Sequence, residues 1–243
     1  MGIYSDILQT EVRLEFMHPE EVEAARERCP AIYVPFGSLE WHGYHNVVGL
    51  DTLKAHEQLV GLATRVGGVV YPPVYFGAGG GHTEWPSSFM VSAAPMQEIV
   101  SELLYGFERD GYRKAILISG HYPNRGQFLD PAADAYRAAG GTMDVLALVE
   151  NQAPGVGGDH AAKFETSYML YLHPDTVDCE RLHAGADDDI GGADERINWM
   201  GPEYEGHPCY GLVGIDPRAH ASAETGRENT ERLLAYLAEW VSG

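Results

Sequence analysis

The chain has 243 residues with 44% hydrophobic content, and since no Pro-, Ser- or Gly-rich linker divides it, we predict a single domain over residues 1–243. Its 36 acidic and 16 basic residues give a formal charge of −20, so long-range repulsion disfavours nucleic acid and anionic membranes as partners. No stretch approaches the ~18 apolar residues of a membrane span and none resembles a targeting segment, so we expect a cytoplasmic protein.

Strand-like and helix-like patterns alternate along the chain. An apolar run between Pro30 and Gly37 predicts a buried strand over 31–36, and helical spacing follows over 51–66. Further strands are predicted over 69–76, 114–119 and 143–149, and further helices over 96–109, 127–139, 161–172 and 219–240. Parallel neighbours need crossover connections, which cover the sheet. The pattern therefore predicts an α/β fold with a mostly parallel sheet and helices on both faces.

The stretch from 175 to 216 shows neither periodicity. It contains Asp187, Asp188 and Asp189 in a row, with Gly pairs nearby. We interpret it as a surface loop that is placed to form a lid or a subunit contact.

Side chains of the kind that bind metals follow three of the predicted strands. Glu40 and His42 follow the first strand, His121 follows the 114–119 strand, and Asp159 and His160 follow the 143–149 strand. Ligands of open α/β sheets bind at the carboxyl ends of the strands. These side chains are therefore expected to meet at one edge of the sheet.

The three cysteines, Cys29, Cys179 and Cys209, are widely spaced and form no CxxC pair. This spacing argues against a disulfide framework and against a thiolate zinc site. Any metal would therefore need histidine and carboxylate ligands.

The first cluster pairs a carboxylate with an imidazole. Glu40 and His42 are two residues apart, so in extended backbone they point the same way, and Gly43 allows a turn directly afterwards. With Asp51 they form a plausible ligand set for Zn, Mn or Fe. The alternative is that Asp51 caps its helix, and both roles can hold at once.

Other motifs for catalysis are missing or incomplete. The sequence has no GxSxG nucleophile elbow, and the glycine-rich run at 77–82 lacks the Lys and hydroxyl of a phosphate loop. We interpret this run as a rim of the pocket. His45 is expected to support the ligands, and His56 and His173 to be structural.

Five ordered motifs resemble the creatininase (creatinine amidohydrolase) family. They are VPFGSLEWHGYH at 34–45, HTEWPSS at 82–88, GHYPN at 120–124, DH at 159–160 through ETS at 165–167, and GIDP at 214–217 with AETG at 223–226. Any one of them is a weak signal, but together they cover nearly the whole chain. The resemblance implies a Rossmann-like three-layer fold.

The resemblance also implies a site with two divalent ions per subunit, Zn, Mn or Fe. Glu40 and His42 would each hold a different metal, Asp51 would bridge the two, and His121 would complete the first. His160 falls where the family places a catalytic histidine that helps to move a proton. The family further implies a homo-oligomer, often a hexamer, and hydrolysis of cyclic or formyl amides.

Two departures from the family pattern bear on the site. Pro123 stands where creatininase has a second metal-binding Glu, so Glu165 becomes the candidate to complete the second metal. The loop at 151–158 lacks the tryptophans with which creatininase encloses creatinine, which disfavours creatinine as the substrate. We predict that the substrate is bound by residues on the rim of the site, namely His82, Tyr122 and Asn124.

The predicted function is metal-dependent hydrolysis of a non-peptide C–N bond in a small amide. Water activated by the metal would attack the amide carbon, and His160, oriented by Asp159, would deliver a proton to the departing nitrogen. A formylamino-pyrimidine nucleotide is the favoured substrate, with Arg125 supplying local positive charge. Creatinine or another cyclic amide is the alternative, and an inactive metal-binding oligomeric scaffold is the alternative of another class.

Overall fold

The computed structural model describes residues 2–182 and 191–243, so the predicted run Asp187, Asp188 and Asp189 lies outside the described residues. Four parallel strands form the central sheet in the order β2-β1-β3-β4. They are β1 (Ala31–Phe36), β2 (Val69–Val70), β3 (Lys114–Ser119) and β4 (Asp144–Val149). The helices are α1 (Pro19–Arg28), α2 (Leu50–Val66), α3 (Ala93–Asp110), α4 (Asp130–Ala138), α5 (Lys163–Leu172), α6 (Pro217–His220) and α7 (Ala223–Ser242).

Helices cover both faces of this sheet, which confirms the predicted α/β class. Successive side chains of a strand point to opposite faces, and in β3 Ile116 and Ile118 face the layer of α2, α5 and α7. Ala115 and Leu117 face the layer of α1, α3 and α4. Buried apolar side chains fill both spaces, so the sheet is the middle of three layers.

The two central strands place the site. β1 and β3 are neighbours in register, and their last residues, Phe36 and Ser119, are paired. The chain leaves β1 toward β2 on one side, whereas β3 lies on the other side. The crevice at the carboxyl ends of β1 and β3 is therefore a point where strand order reverses, the usual ligand position in such sheets.

The strand predicted over 69–76 is largely wrong. β2 ends at Val70, because Pro72 and Pro73 cannot donate backbone hydrogen bonds to the ladder. The chain nevertheless continues beside β1, and the Val74 N–H donates to the Pro35 carbonyl at 2.9 Å.

Several helix boundaries also differ from the prediction. The prediction missed α1, in which Ala25 is the buried residue. The helix predicted over 127–139 begins as a π-helical turn over Arg125–Leu129 and continues as α4. The closing helix is divided into α6 and α7, and Ser222 caps α7 by accepting the Thr225 N–H.

The loop predicted over 175–216 is wrong where it contains a second sheet. β5 (Arg196–Asn198) and β6 (Val213–Ile215) pair antiparallel. Val213 and His160 exchange backbone hydrogen bonds of 2.9 and 3.0 Å, which join this small sheet to the segment after β4. The small sheet therefore forms part of the site region. Within residues 2–182 and 191–243 no helix is long and apolar enough to cross a membrane.

Candidate metal centre

Glu40, Asp51 and His121 converge at the carboxyl edge of the sheet. His121 Nδ1 lies 2.8 Å from Glu40 Oε2 and 3.4 Å from Asp51 Oδ2. The exposed fractions of the three residues are 2%, 1% and 3%. Asp51 lies in the first turn of α2, which packs closely on the end of β3, since a Cβ at Gly120 would meet the Asp51 carbonyl oxygen at 2.1 Å. These three residues form one possible ligand group.

His42 and Glu165 lie on the other side of the same aspartate. His42 Nε2 is 3.1 Å from Asp51 Oδ1 and 3.5 Å from Glu165 Oε2. The two oxygens of Asp51 therefore face two different imidazoles. Asp51 makes no side-chain cap on α2, and its Oδ2 accepts the Ser38 hydroxyl instead. We call Glu40, His42, Asp51, His121 and Glu165 the hollow.

Two further histidines stand beside the hollow. The rings of His82 and His160 stack with centroids 3.9 Å apart, and the ring of His42 lies 4.6 Å from that of His160. His82 Nδ1 is 3.5 Å from Glu40 Oε1. His160 belongs to two possible ligand groups, one with Glu40 and His82, the other with His42 and Glu165.

Backbone carbonyls orient the imidazoles of the hollow. His42 Nδ1 lies 3.0 Å from the Glu40 carbonyl oxygen, and His121 Nε2 lies 3.1 Å from that of Gly79. Carbonyl oxygens only accept, so these ring nitrogens carry the proton and the opposite nitrogens are free to bind. Histidines that ligate metals typically donate their other N–H in this way. The histidines of the hollow therefore fit a metal site.

The same neighbours shift the pKa values of the hollow. Burial alone would lower the pKa of His42, but the carboxylates of Asp51 and Glu165 outweigh it and raise it to about 9. Burial would likewise lower the pKa of His121, but the neighbouring carboxylates of Asp51 and Glu40 raise it to about 10. Without a metal, ring protons would supply the positive charge that these carboxylates attract.

His160 differs from the histidines of the hollow. Burial, followed by the charges of His42 and His82, holds the pKa of its imidazole well below the usual value. His160 Nε2–H donates to the Trp41 carbonyl at 3.0 Å. This bond leaves Nδ1 as the ring nitrogen that can accept or return a proton.

Charge balance also favours a cation in this region. Glu40, Asp51 and Glu165 are buried with Glu150, and Lys54 is fully buried among them. Lys54 Nζ lies 2.7 Å from Glu165 Oε1 and 3.0 Å from Glu150 Oε2. Lys54 alone cannot balance four carboxylates, so further positive charge is needed, from protonated His42 and His121 or from bound cations, because buried charge without a partner is costly. The donor set thus suits divalent ions held by nitrogen and oxygen.

Gly80 leaves space beside the hollow. Its φ is +110°, and an added Cβ would lie 3.1 Å from His121 Cε1 and 3.4 Å from Glu40 Oε1. A side chain here would be strained and would crowd two of the predicted ligands. The glycine-rich run thus forms a close wall of the site, in agreement with the rim predicted for it.

The hollow opens into a cavity of about 370 Å³. The cavity is lined by Glu40, Asp51, Gly80, Gly81, His82, Gly120, His121, Tyr122, Pro123, Asn151, Gly158, Asp159, His160, Glu165, Arg196, Met200 and Val213. His82 and Tyr122, which are predicted to bind substrate, are therefore on its wall. A cavity of about 410 Å³ between the N-terminal segment and α2 contains none of the possible ligand groups.

Two of the predicted site residues bond to the protein itself. The Asn124 amide accepts the Ala78 N–H and donates to the Gly37 carbonyl, so it holds strand ends together, and its substrate contact stays a prediction. The carboxylate of Asp159 accepts the N–H groups of Phe164 and Glu165 at the start of α5. This contact differs from the predicted one with His160.

Arg196 and Lys54 are the residues that sequence reasoning missed. Arg196 lines the cavity, whereas Arg125, to which we assigned the positive charge, pairs with Asp130 at 2.9 Å. Arg196 lies in the region predicted as loop, where no pattern indicated which side chains point inward. Lys54 lies on a helix that was predicted, but the spacing of apolar residues does not indicate which polar side chains of a helix are buried.

Comparison with known proteins adds a family match. The family model described as Creatininase: Creatinine amidohydrolase matches residues 15–241. Creatinine amidohydrolase of Pseudomonas putida is 28% identical over 186 residues, which are 67% of this chain and 71% of that protein. The 3-dehydro-scyllo-inosose hydrolase of Thermotoga maritima is 28% identical over 96% of this chain and 83% of that protein. The mycofactocin precursor peptide peptidase of Mycobacterium ulcerans is 30% identical, over 64% of each chain.

Solved structures agree with this match. Creatinine amidohydrolase (creatininase) superposes with a TM-score of 0.76 at 25% identity, covering 96% of this chain and 98% of that chain. A structure named Creatininase Mn superposes with a TM-score of 0.74 at 26% identity, covering 95% and 97%. The three-layer architecture described above is therefore shared over nearly the full length of both chains.

Proposed function

This chain belongs to the creatininase family, and from that membership and the hollow we propose that it is a metal-dependent hydrolase of a non-peptide C–N amide bond. The observation that carries the proposal is the position of Asp51. Its Oδ1 lies 3.1 Å from His42 Nε2, and its Oδ2 lies 3.4 Å from His121 Nδ1. Each histidine thus turns its free nitrogen toward one carboxylate, an arrangement that suits a bridge between two cations.

The residues of the hollow divide into two sets around that bridge. Glu40 and His121 would hold one divalent ion, and His42 and Glu165 would hold the other, with Asp51 shared. Such ions, Zn, Mn or Fe, lower the pKa of water and polarise a carbonyl oxygen when they are bound. The hydrogen bonds from the histidines to backbone carbonyls fix the ring positions, so that little reorganisation is needed.

His160 is the residue that we assign to proton transfer. Its Nε2–H is held by the Trp41 carbonyl, which leaves Nδ1 to take the proton given up by the attacking water and to deliver it to the departing nitrogen of the amide. Asp159 acts through the backbone, because it bonds to the first turn of α5 and so holds the segment that carries His160. His82 and Tyr122 on the cavity wall would orient the substrate.

The size of the cavity argues for a small substrate. A volume of about 370 Å³ falls at the lower end of the range for small-molecule sites, roughly 300–1,000 Å³. Formamides and lactams fit this class, and a formylamino-pyrimidine nucleotide is the narrower candidate. The relative from Mycobacterium ulcerans is named a precursor peptide peptidase, so a peptide amide belongs in the test.

The test is hydrolysis by protein of defined metal content. The protein is stripped with a chelator and reloaded with Zn, Mn or Fe(II), and the bound metal is counted by mass spectrometry. Turnover is then measured on creatinine, a lactam, N-formyl amino acids, a formylamino-pyrimidine nucleotide and a dipeptide amide. We expect metal-dependent hydrolysis of a formamide or lactam. Bound metal with no hydrolysis of any compound would instead support the inactive scaffold.

Two variants separate metal binding from proton transfer. His160→Ala should keep its metal and lose turnover by ~10²-fold, the usual scale of general acid–base help. Asp51→Asn should weaken metal binding by more than about 100-fold, because loss of an outer hydrogen bond alone costs about 10- to 100-fold. Asp134→Asn, which makes the same change on an exposed aspartate of α4, is the control. Full turnover by His160→Ala would eliminate its role.

Assembly and location remain predictions. We expect a homo-oligomer in the cytoplasm, with a hexamer as the specific candidate and with neither nucleic acid nor membrane as a partner. Light scattering at several protein concentrations measures the assembly directly.

A further inference from the structure

We propose that Arg196 binds an anionic group of the substrate, a carboxylate or a phosphate, at the mouth of the cavity. The substrate would then be a small amide that carries a negative charge away from the bond to be broken. This inference deepens the proposed hydrolase function and rests on it. The observations that support it are the position of Arg196, its lack of an acidic partner among the described residues, and the charge of its surroundings.

The position of Arg196 is set by the small sheet. Arg196 begins β5, which pairs with β6, and Val213 of β6 is joined by two backbone hydrogen bonds to His160. The same sheet thus carries Arg196 and the backbone of the residue that we assign to proton transfer. Two residues after the end of β5, Met200 approaches the glycine-rich wall, since a Cβ at Gly81 would lie 3.1 Å from Met200 Cε. The small sheet therefore forms one side of the cavity mouth.

Arg196 lacks the partner that most arginines of this acidic chain have. Within residues 2–182 and 191–243, nine arginines lie within 4.0 Å of a carboxylate: Arg13, Arg26, Arg65, Arg125, Arg137, Arg181, Arg218, Arg227 and Arg232. The contact described for Arg196 is a hydrogen bond of 3.4 Å from Nη1 to the Gly158 carbonyl. Gly158 also lines the cavity, so this contact holds Nη1 at the cavity wall, and Arg196 is otherwise exposed to solvent.

The guanidinium of Arg196 is the one fixed positive charge among the described residues that line the cavity. Among the described lining residues, Arg196 is the single Arg or Lys side chain. Lys54 cannot serve instead, because it is fully buried and paired with Glu150 and Glu165. The carboxylates on the wall repel a free anion, and the chain as a whole carries a charge of −20. An anionic substrate would therefore need a cation at the mouth of the cavity.

Guanidinium chemistry matches such a group. Its planar set of N–H donors fits two oxygens of a carboxylate or phosphate at once. Binding at Arg196 would hold one end of the substrate at the mouth while the amide reaches the hollow. The anionic end would then lie beside β5, where Arg196 lines the cavity.

The experiment compares three formamides that differ in one group. N-formylglycine carries a carboxylate, N-formylaminomethylphosphonic acid carries a phosphonate, and N-formylglycinamide is neutral. Calorimetry on the zinc-loaded protein measures binding of each, and hydrolysis is followed in parallel. The variants are Arg196→Gln and Arg196→Lys. Arg109→Gln, the same change on an exposed arginine at the end of α3, near the opposite edge of the sheet, is the matched control.

We expect the wild type to prefer the anionic probes. Arg196→Gln should weaken their binding by about tenfold to 100-fold, the range for a charge-assisted hydrogen bond, and should leave the neutral probe unchanged. Arg196→Lys should keep part of the preference, because the charge remains while the planar fork is lost. In hydrolysis the effect should fall on KM with kcat nearly constant. The anionic probe that binds more tightly identifies the substrate's anionic group as a carboxylate or a phosphate.

Two outcomes separate this inference from the proposed function. Equal binding of all three probes by the wild type, or equal behaviour of Arg196→Gln and Arg109→Gln, overturns the role of Arg196. The wild type could instead prefer the anions in a way that depends on Arg196, yet hydrolyse neither the probes nor the wider amide panel. That result would support the anion-binding role of Arg196 and reject the proposed hydrolase function.

Discussion

The hollow and the interface between α5 and α7 are both buried, yet different forces stabilise them. The interface contains Leu172, Leu233, Leu234 and Leu237, and the helices approach so closely that a Cβ at Gly226 would meet the Ser167 carbonyl at 1.9 Å. Its stability comes from apolar burial and packing. The hollow instead concentrates charge that must be balanced. The burial of a side chain therefore predicts how much its mutation lowers the unfolding free energy only when the groups that contact it are also known.

The helix α5 belongs to both regions. Glu165 in its first turn faces the hollow, whereas Tyr168 and Leu172 lie in the apolar core. The helix therefore holds one carboxylate of the hollow on a support that is packed into the apolar core. The unfolding free energy of the metal-free protein is the quantity in which the two regions should differ most clearly.

Replacing Lys54 by Met should have the largest effect. The side chain keeps its approximate volume, but Glu150 and Glu165 lose their buried cation. Breaking a buried pair in this way costs about 3–5 kcal/mol. Chemical denaturation of the chelated protein measures the loss, and Glu150→Gln in the same chain should restore part of it by removing one unbalanced carboxylate. A double variant no more stable than the single one would contradict this account.

Replacing Leu234 by Ala tests the apolar region. The side chain is fully buried on α7, and such a truncation costs about 2–5 kcal/mol. Metal bound per folded molecule should stay unchanged, because Leu234 packs in the apolar core, which contains none of the residues of the hollow. Leu103→Ala, at a partly buried position of α3, is the matched control and should cost less. Metal loss in Leu234→Ala would show that the two regions are coupled.

Replacing Glu228 by Gln should have the smallest effect. Glu228 accepts from Arg232 on the exposed side of α7, with both side chains about half exposed. Water screens this pair, so its loss should change the unfolding free energy by less than about 0.5 kcal/mol, and the difference should shrink further in high salt. A change as large as that in Lys54→Met would remove the distinction between buried and exposed charge pairs.

The sequence predicted the central elements well because their signals are local. β1 and β3 match the predicted bounds, since each contains a run of at least four apolar residues. α1 was missed because its one buried residue, Ala25, produces no periodicity, although Pro19 at the first position and Glu21 near the start were available as signals. β5 and β6 are too short to show alternation, and they depend on contacts with a distant segment.

The candidate site was predicted where side chains follow strand ends. Glu40 and His121 meet because β1 and β3 are in register, and parallel order makes their ends coincide. The roles of Lys54 and Arg196 depend on which neighbours fold against them. Spacing along the chain does not encode those neighbours, so these two residues could be found only in three dimensions.

The backbone hydrogen bonds between Val213 and His160 join the small sheet to the rest of the site. Both hydrogen bonds must break before the small sheet can separate from the body of the protein. Local openings of this kind need less free energy than global unfolding. Warming would therefore release His160 and Arg196 in one cooperative event. We expect heat inactivation to begin there, at a temperature below that at which the central sheet melts.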